Sequence, residues 1–134
     1  MRRIGIIACV IVFAGLAIGS AVSAVTVQFQ SFWPDQAYFC EPSGITVDPN
    51  GNNIYVADTK NHRIVKLDSS GNVVAKWGIK GFASNAYNFP YGIHYGNNGD
   101  LYVCDTGNNR IKRIDTSGNL LNMWGIRGTA DGQF

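Results

Sequence analysis

Ile54-Tyr55-Val56-Ala57-Asp58-Thr59, followed by Asn61-His62-Arg63-Ile64, is answered further along by Leu101-Tyr102-Val103-Cys104-Asp105-Thr106, followed by Asn108-Asn109-Arg110-Ile111. The correspondence extends in both directions. Pro42-Ser43-Gly44-Ile45 matches Pro90-Tyr91-Gly92-Ile93. Asp68, Gly71-Asn72 and Trp77-Gly78-Ile79-Lys80-Gly81 match Asp115, Gly118-Asn119 and Trp124-Gly125-Ile126-Arg127-Gly128. The offset is 48 residues as far as Gly51 and Gly99, and 47 afterwards, because Asn52-Asn53 face the single Asp100. Repeats of this period are supersecondary units that cannot bury an apolar face alone and so stack on neighbours.

Each copy divides into four short segments rich in β-branched and aromatic residues, the composition of strands. In the first copy they are 44–47, 53–57, 63–67 and 73–77; in the second, 92–95, 101–104, 110–114 and 120–124. Asp, Asn, Ser, Gly and Pro fill the intervals, and these residues close turns by side-chain-to-backbone bonding, positive φ or fixed φ. No segment after the leader has helical periodicity. Four antiparallel strands per unit is the anatomy of a propeller blade. The fold class expected is therefore all-β, a β-propeller of four-stranded blades, present here as an incomplete ring of about two blades. The linker 78–89 carries Phe82, Tyr87 and Phe89, which are expected to pack between blades.

The first 24 residues differ in kind. Arg2-Arg3 precede an apolar or small stretch of 15 residues, Ile4 to Ile18, and Ala21-Val22-Ser23-Ala24 is a small-residue site of the kind a signal peptidase accepts. A secretory signal peptide over 1–24 is expected, with an uncleaved signal anchor as the alternative. The domain reading is then 1–24 leader and 25–134 partial propeller. Within the latter, 25–41 is an N-terminal closing strand and lead-in loop, 42–81 the first blade, 82–128 the linker and second blade, and 129–134 the start of a third repeat. The expected location is secreted or extracytoplasmic, at the cell surface included, with no stable membrane span once the leader is cleaved. After residue 24 nine basic and nine acidic residues remain. A neutral domain offers no field to gather polyanions, which counts against nucleic acid as a partner. Cys40 and Cys104 are the candidate pair for one disulfide; Cys9 lies in the leader.

The combination Pro-x-Gly-Ile, Ile-Tyr-Val-Ala-Asp-Thr, Asn-His-Arg-Ile, Gly-Asn and Trp-Gly resembles the NHL repeat over residues 42–128, with a third repeat beginning at Asp131-Gly132-Gln133-Phe134. The resemblance implies a six-bladed propeller when complete. It also implies one of several roles: a protein-binding platform, an extracytoplasmic sensor, an RNA binder or a lyase. Fold does not choose among them. Metal-dependent lyases of this fold place His directly after the Pro that opens the inner strand. Here those positions hold Ser43 and Tyr91. The favoured function is thus a secreted or cell-surface binding or scaffold module for a protein or small ligand at the propeller face. The alternative is part of a lyase or hydrolase whose metal ligands lie in other blades. No cofactor, metal ligand or catalytic residue is assigned within this segment.

The candidate binding residues are Ser43 and Tyr91 at the inner-strand openings, with Thr59, Lys60, His62, Thr106 and Asn109 on the adjoining turns. Asp58 with Arg63, and Asp105 with Arg110, flank equivalent turns in both copies. A one-off active site has no reason to be repeated, so these pairs are read as structural. Trp77 and Trp124 are read as buried inter-blade anchors. Asp48-Pro49-Asn50-Gly51-Asn52 starts like a calcium loop but lacks the closing bidentate Glu, and is read as a hairpin turn. His94 is expected to be a partly exposed strand residue. Lys60, Arg63, Lys66, Lys80, Arg110, Lys112, Arg113 and Arg127 alternate with acids and are read as a solvated blade surface. Open edges and unpaired apolar faces predict self-association.

Overall fold

The computed structural model describes residues 39–134. The expected leader over 1–24 and residues 25–38 of the expected closing strand and lead-in loop lie outside the described residues. Eight strands form: β1 (Pro42–Val47), β2 (Asn53–Asp58), β3 (Arg63–Asp68), β4 (Val73–Trp77), β5 (Pro90–Tyr95), β6 (Leu101–Asp105), β7 (Arg110–Ile114) and β8 (Leu120–Trp124). They build two four-stranded sheets in the orders β1-β2-β3-β4 and β5-β6-β7-β8, every neighbour antiparallel. One 3₁₀ turn follows β2 and another follows β6, over Thr59–Asn61 and Thr106–Asn108. Among the described residues no helix is long and apolar enough to cross a membrane. The sheets approach each other most closely at β1 and β5 and splay apart outward, as blades do around an axis.

The third turn of each blade shows how sequence fixes local structure. Asp115 accepts the backbone N–H groups of Ser117 and Asn119 and the Asn119 amide, all at 2.8 Å. Asp68 does the same for Ser70 and Asn72. These bonds hold both Asp68 and Asp115 carboxyls below the usual carboxylate range. Gly118 sits at φ +88° with its Cα against the Trp77 ring, where a Cβ would come within 2.5 Å. That turn therefore seats the last residue of the first blade's outer strand.

Strand alternation decides which residues meet. Tyr55 and Ala57 on β2 and Ile64 on β3 point toward the second blade, where Leu101, Val103 and Ile114 meet them. Tyr87 from the linker joins this core, with Trp77, Ile93 and Tyr95 at its margin. The opposite face of the first blade buries Val56, Val65 and Leu67 beneath a margin of Phe39, Ile54 and Val73. Burying one such side chain is worth about 1.5–3 kcal/mol, so the inter-blade core is the main stabilising contact described here. A one-residue slip of β2 would exchange the two faces.

Several expectations need correction. Lys112 is not on a solvated surface. It occupies the place of Val65 in the other blade and is fully buried. Its ammonium donates to the carbonyls of Ser84 (2.8 Å) and Ala86 (2.6 Å) and lies 4.1 Å from the centre of the Tyr87 ring. Phe82 is 77% exposed and does not pack between blades. Its carbonyl, not its ring, is engaged, by Arg110 at 2.8 Å. Cys40 and Cys104 are both free, exposed thiols. Cys40 is tied into the first blade through Asp58 and Lys60, while Cys104 faces Gly92 within the second. Trp124 is 42% exposed and stacked on Tyr102 (6.4 Å, 10°); no described turn covers it as the Gly118 turn covers Trp77.

Burial, followed by the Arg110 charge, pushes Lys112 down to about 8, although its two carbonyls and the Tyr87 face favour the cation. A lysine depressed in the folded state makes the protein more stable as pH rises from about 8 toward its unfolded value near 10.4. Below about 8 the cost of the buried cation is constant. The urea midpoint should therefore rise between pH 8 and 10, by less than the limiting ~1.4 kcal/mol per pH unit because the carbonyls oppose the shift. Lys112→Met should flatten the rise. Equal slopes in the two proteins would show that other groups carry it.

Candidate functional site

The end of each blade that carries the 3₁₀ turn is organised around one buried carboxylate. Asp58 accepts Cys40 N–H (2.8 Å), the Asn61 amide (2.8 Å) and Arg63 Nε (2.7 Å). Asp105 accepts Asn88 N–H (2.7 Å), the Asn108 amide (2.9 Å) and Arg110 Nε (2.7 Å). Both aspartates are fully buried. The structural reading of these four residues fits this geometry, because each carboxylate is saturated by its own turn, its own arginine and the segment leading into its blade. Arg110 then reaches beyond its own blade, donating to the carbonyls of Phe82, Ala83 and Ala86 and clamping the linker. Asn108 adds a bond to Gly81 O at 2.9 Å, leaving its own Oδ1 buried without a partner.

Three of the candidate binding residues are drawn into joining the blades. Ser43 Oγ and Thr59 Oγ1 lie 2.5 Å apart. Ser43 donates to Tyr91 O (2.8 Å), and Thr59, buried, donates to Pro90 O (2.8 Å). Gly44 is required beside them, since a Cβ there would meet Tyr91 O at 2.5 Å. His62 closes the first 3₁₀ turn at φ 54° and is buried. Its Nδ1 accepts Phe89 N–H at 3.1 Å and its ring tilts against the Phe89 ring at 4.5 Å. Burial, and after it the Lys80 charge, lowers the His62 pKa. These bonds occupy the groups that a ligand would have used.

Of the remaining candidates, Tyr91, Thr106 and Lys60 stay open to solvent, and Asn109 is partly buried. The Tyr91 side chain is 61% exposed. Thr106 is exposed, its hydroxyl donating to Cys104 O at 3.4 Å. Lys60 is exposed and paired with Glu41. Asn109 takes the left-handed place of His62 at φ 52°. Ile45 and Val47 on β1, 62% and 46% exposed, and the exposed His94 on β5 lie along the same inner strands. Sequence reasoning missed Ile45 and Val47. Their alternation reads as core unless β1 is known to be the innermost strand with one side on open space.

The geometry defines a class: antiparallel four-stranded blades joined by an arginine-clamped linker. Residues 39–67 and 87–114 match the model of the NHL repeat. Among curated proteins, rat peptidylglycine alpha-amidating monooxygenase is 36% identical over 52 residues, which is 38% of this chain and 5% of that protein. Among solved structures, virginiamycin B lyase from Staphylococcus aureus, in a catalytically inactive form with quinupristin, is 28% identical with a TM-score of 0.53; the match covers 68% of this chain and 29% of the lyase. A streptogramin B lyase structure, 19% identical with a TM-score of 0.52 over 68% of this chain and 28% of that one, shares the fold. The chain thus spans less than a third of each of these proteins.

Proposed function

We propose that this chain is an NHL-type binding module, exported or displayed at the cell surface, that takes a protein or small ligand along its inner strands. One observation carries the reading: the inner strands expose apolar side chains, Tyr91 on β5 and, on the face of β1 turned away from the second blade, Ile45 and Val47. Exposed apolar side chains on the strands of a rigid scaffold are a common feature of interaction sites. The bonds of Ser43 to Tyr91 O and of Thr59 to Pro90 O fix the backbone beneath Tyr91, so little conformational entropy is lost on binding.

Selection of a displayed random-peptide library on the full chain, with counter-selection on Tyr91→Ala, tests this. Selected peptides should lose at least about tenfold in affinity for Tyr91→Ala, as expected of an aromatic anchor. The melting curve should change little, because an exposed side chain is being removed. Peptides that bind both proteins equally would place the site elsewhere. A second reading, a lyase whose remaining catalytic groups lie in further blades, draws on the 28% likeness to the staphylococcal enzyme. Conversion of quinupristin by a protein that joins this chain to the further blades, followed by mass spectrometry, would favour it over the binding module.

A further inference from the structure

The sequence holds two Asn-Gly pairs, Asn50-Gly51 and Asn98-Gly99. The repeat sets both at the same place in the same hairpin, one in the turn from β1 to β2 and one in the turn from β5 to β6. Gly51 N–H donates to Asp48 O at 3.0 Å and Gly99 N–H to Gly96 O at 2.9 Å. Both glycines are left-handed, at φ 71° and 84°, and both asparagines are exposed. The backbones of the two turns are thus matched, and the asparagine side chains are not. Asn98 Nδ2 donates to Asp100 Oδ2 (2.8 Å) and to the Tyr102 hydroxyl (3.1 Å), and Asn98 Oδ1 accepts Asp100 N–H at 3.4 Å. Among the described residues nothing bonds to the Asn50 side chain, because Asp48 supplies that turn's bonds instead. A Cβ at Gly51 would meet nothing within 4 Å.

We infer that Asn50 is a site of spontaneous covalent modification, deamidation through a cyclic imide, and that Asn98 is held back from the same reaction by its tethers. An asparagine before glycine is open to attack by the glycine nitrogen, since no Cβ on the glycine screens the approach. The Gly51 nitrogen forms a bond to Asn50 Cγ and gives up its proton. The Cγ–Nδ2 bond breaks, and Nδ2 leaves with that proton as ammonia. Water, the one co-reactant, then opens the imide. Opening at one carbonyl gives aspartate in place of Asn50; opening at the other gives an isoaspartyl link, with the main chain running through Cβ and Cγ. To react, Cγ must swing toward the following nitrogen, and Asn98 must first release Asp100 and Tyr102. Loss of those bonds should slow Asn98 by about tenfold relative to Asn50. The isoaspartyl link lengthens the turn that Asp48 pins through Asn52 N–H (2.8 Å), Asn53 N–H (3.2 Å) and the Asn53 amide (2.7 Å). Either product adds a negative charge to a segment with nine basic and nine acidic residues after residue 24. The inference does not rest on the proposed ligand site.

Incubation of the folded full chain in mildly alkaline buffer, beside the same chain unfolded in urea, tests it. Peptide mass spectrometry reads the amide-to-acid mass gain at each asparagine. In urea the two sites should convert at comparable rates, because both precede glycine and neither is tethered. In the folded chain Asn50 should convert while Asn98 lags by about tenfold. Tyr102→Phe removes one tether and keeps the ring that stacks on Trp124. It should speed Asn98 by roughly threefold or more and leave Asn50 unchanged. An Asn50 that stays intact in the folded chain while the urea-unfolded chain converts would overturn the proposal. So would equal rates at the two sites in the folded chain, or an Asn98 rate that ignores Tyr102→Phe.

Discussion

Asp105→Ala should cost about 3–5 kcal/mol, among the largest losses available to a single side chain in this protein. The carboxylate is fully buried and accepts three donors: Asn88 N–H, the Asn108 amide and Arg110 Nε. Removing it leaves a guanidinium whose side chain is 9% exposed, still held by the Phe82, Ala83 and Ala86 carbonyls but without a counter-charge. An uncompensated buried cation costs more than the pair contributes. Asp105→Asn keeps the volume and an acceptor, and should cost roughly half as much. Urea titrations of the three proteins at neutral pH give the comparison. Arg110→Ala in the Asp105→Ala background should recover part of the loss, because it removes the orphaned charge. If Asp105→Ala lies within 1 kcal/mol of wild type, the carboxylate is not the organiser of the turn.

Much of this architecture was readable from the repeat. Two copies aligned residue by residue gave the strand order, the turn chemistry and the structural standing of Asp58, Arg63, Asp105 and Arg110, because each depends on contacts within one blade or on a rule that repeats. The errors concern what one blade does to the next. Lys112 looks like a surface cation because lysines usually are. Its burial follows from linker carbonyls folding over the position that Val65 fills in the first blade, and no local pattern reports that. Ser43, Thr59 and His62 carry the polarity of a ligand site, and they spend it on Tyr91 O, Pro90 O and Phe89 N–H. Tyr91 was identified for its place after the blade-opening proline. Its side chain is open because only its carbonyl is needed for the joint.

Trp77 and Trp124 separate position from environment, and replacing each by alanine should give opposite results. Both end an outer strand at the same register, paired with Ile64 and Ile111 respectively. Trp77 is partly buried, stacked on Tyr55 (6.2 Å, 25°) and pressed against the Gly118 turn of the second blade. Trp77→Ala opens a cavity between the blades, where neither sheet can collapse without moving the turn. It should cost about 3 kcal/mol or more, a fall in Tm of roughly 12 °C or more for a domain of this size. Trp124 stacks on Tyr102 (6.4 Å, 10°) and is 42% exposed, and among the described residues no turn is pressed against it. Trp124→Ala should cost about 1 kcal/mol or less, the range for a side chain with little to lose. Thermal melts of both variants in dilute solution decide the matter. Equal losses would mean that the indole stabilises its own sheet, and that contact between blades adds little. A large loss at Trp77 with a small one at Trp124 would assign the stabilisation to the inter-blade contact, since sequence and register at the two sites are otherwise matched.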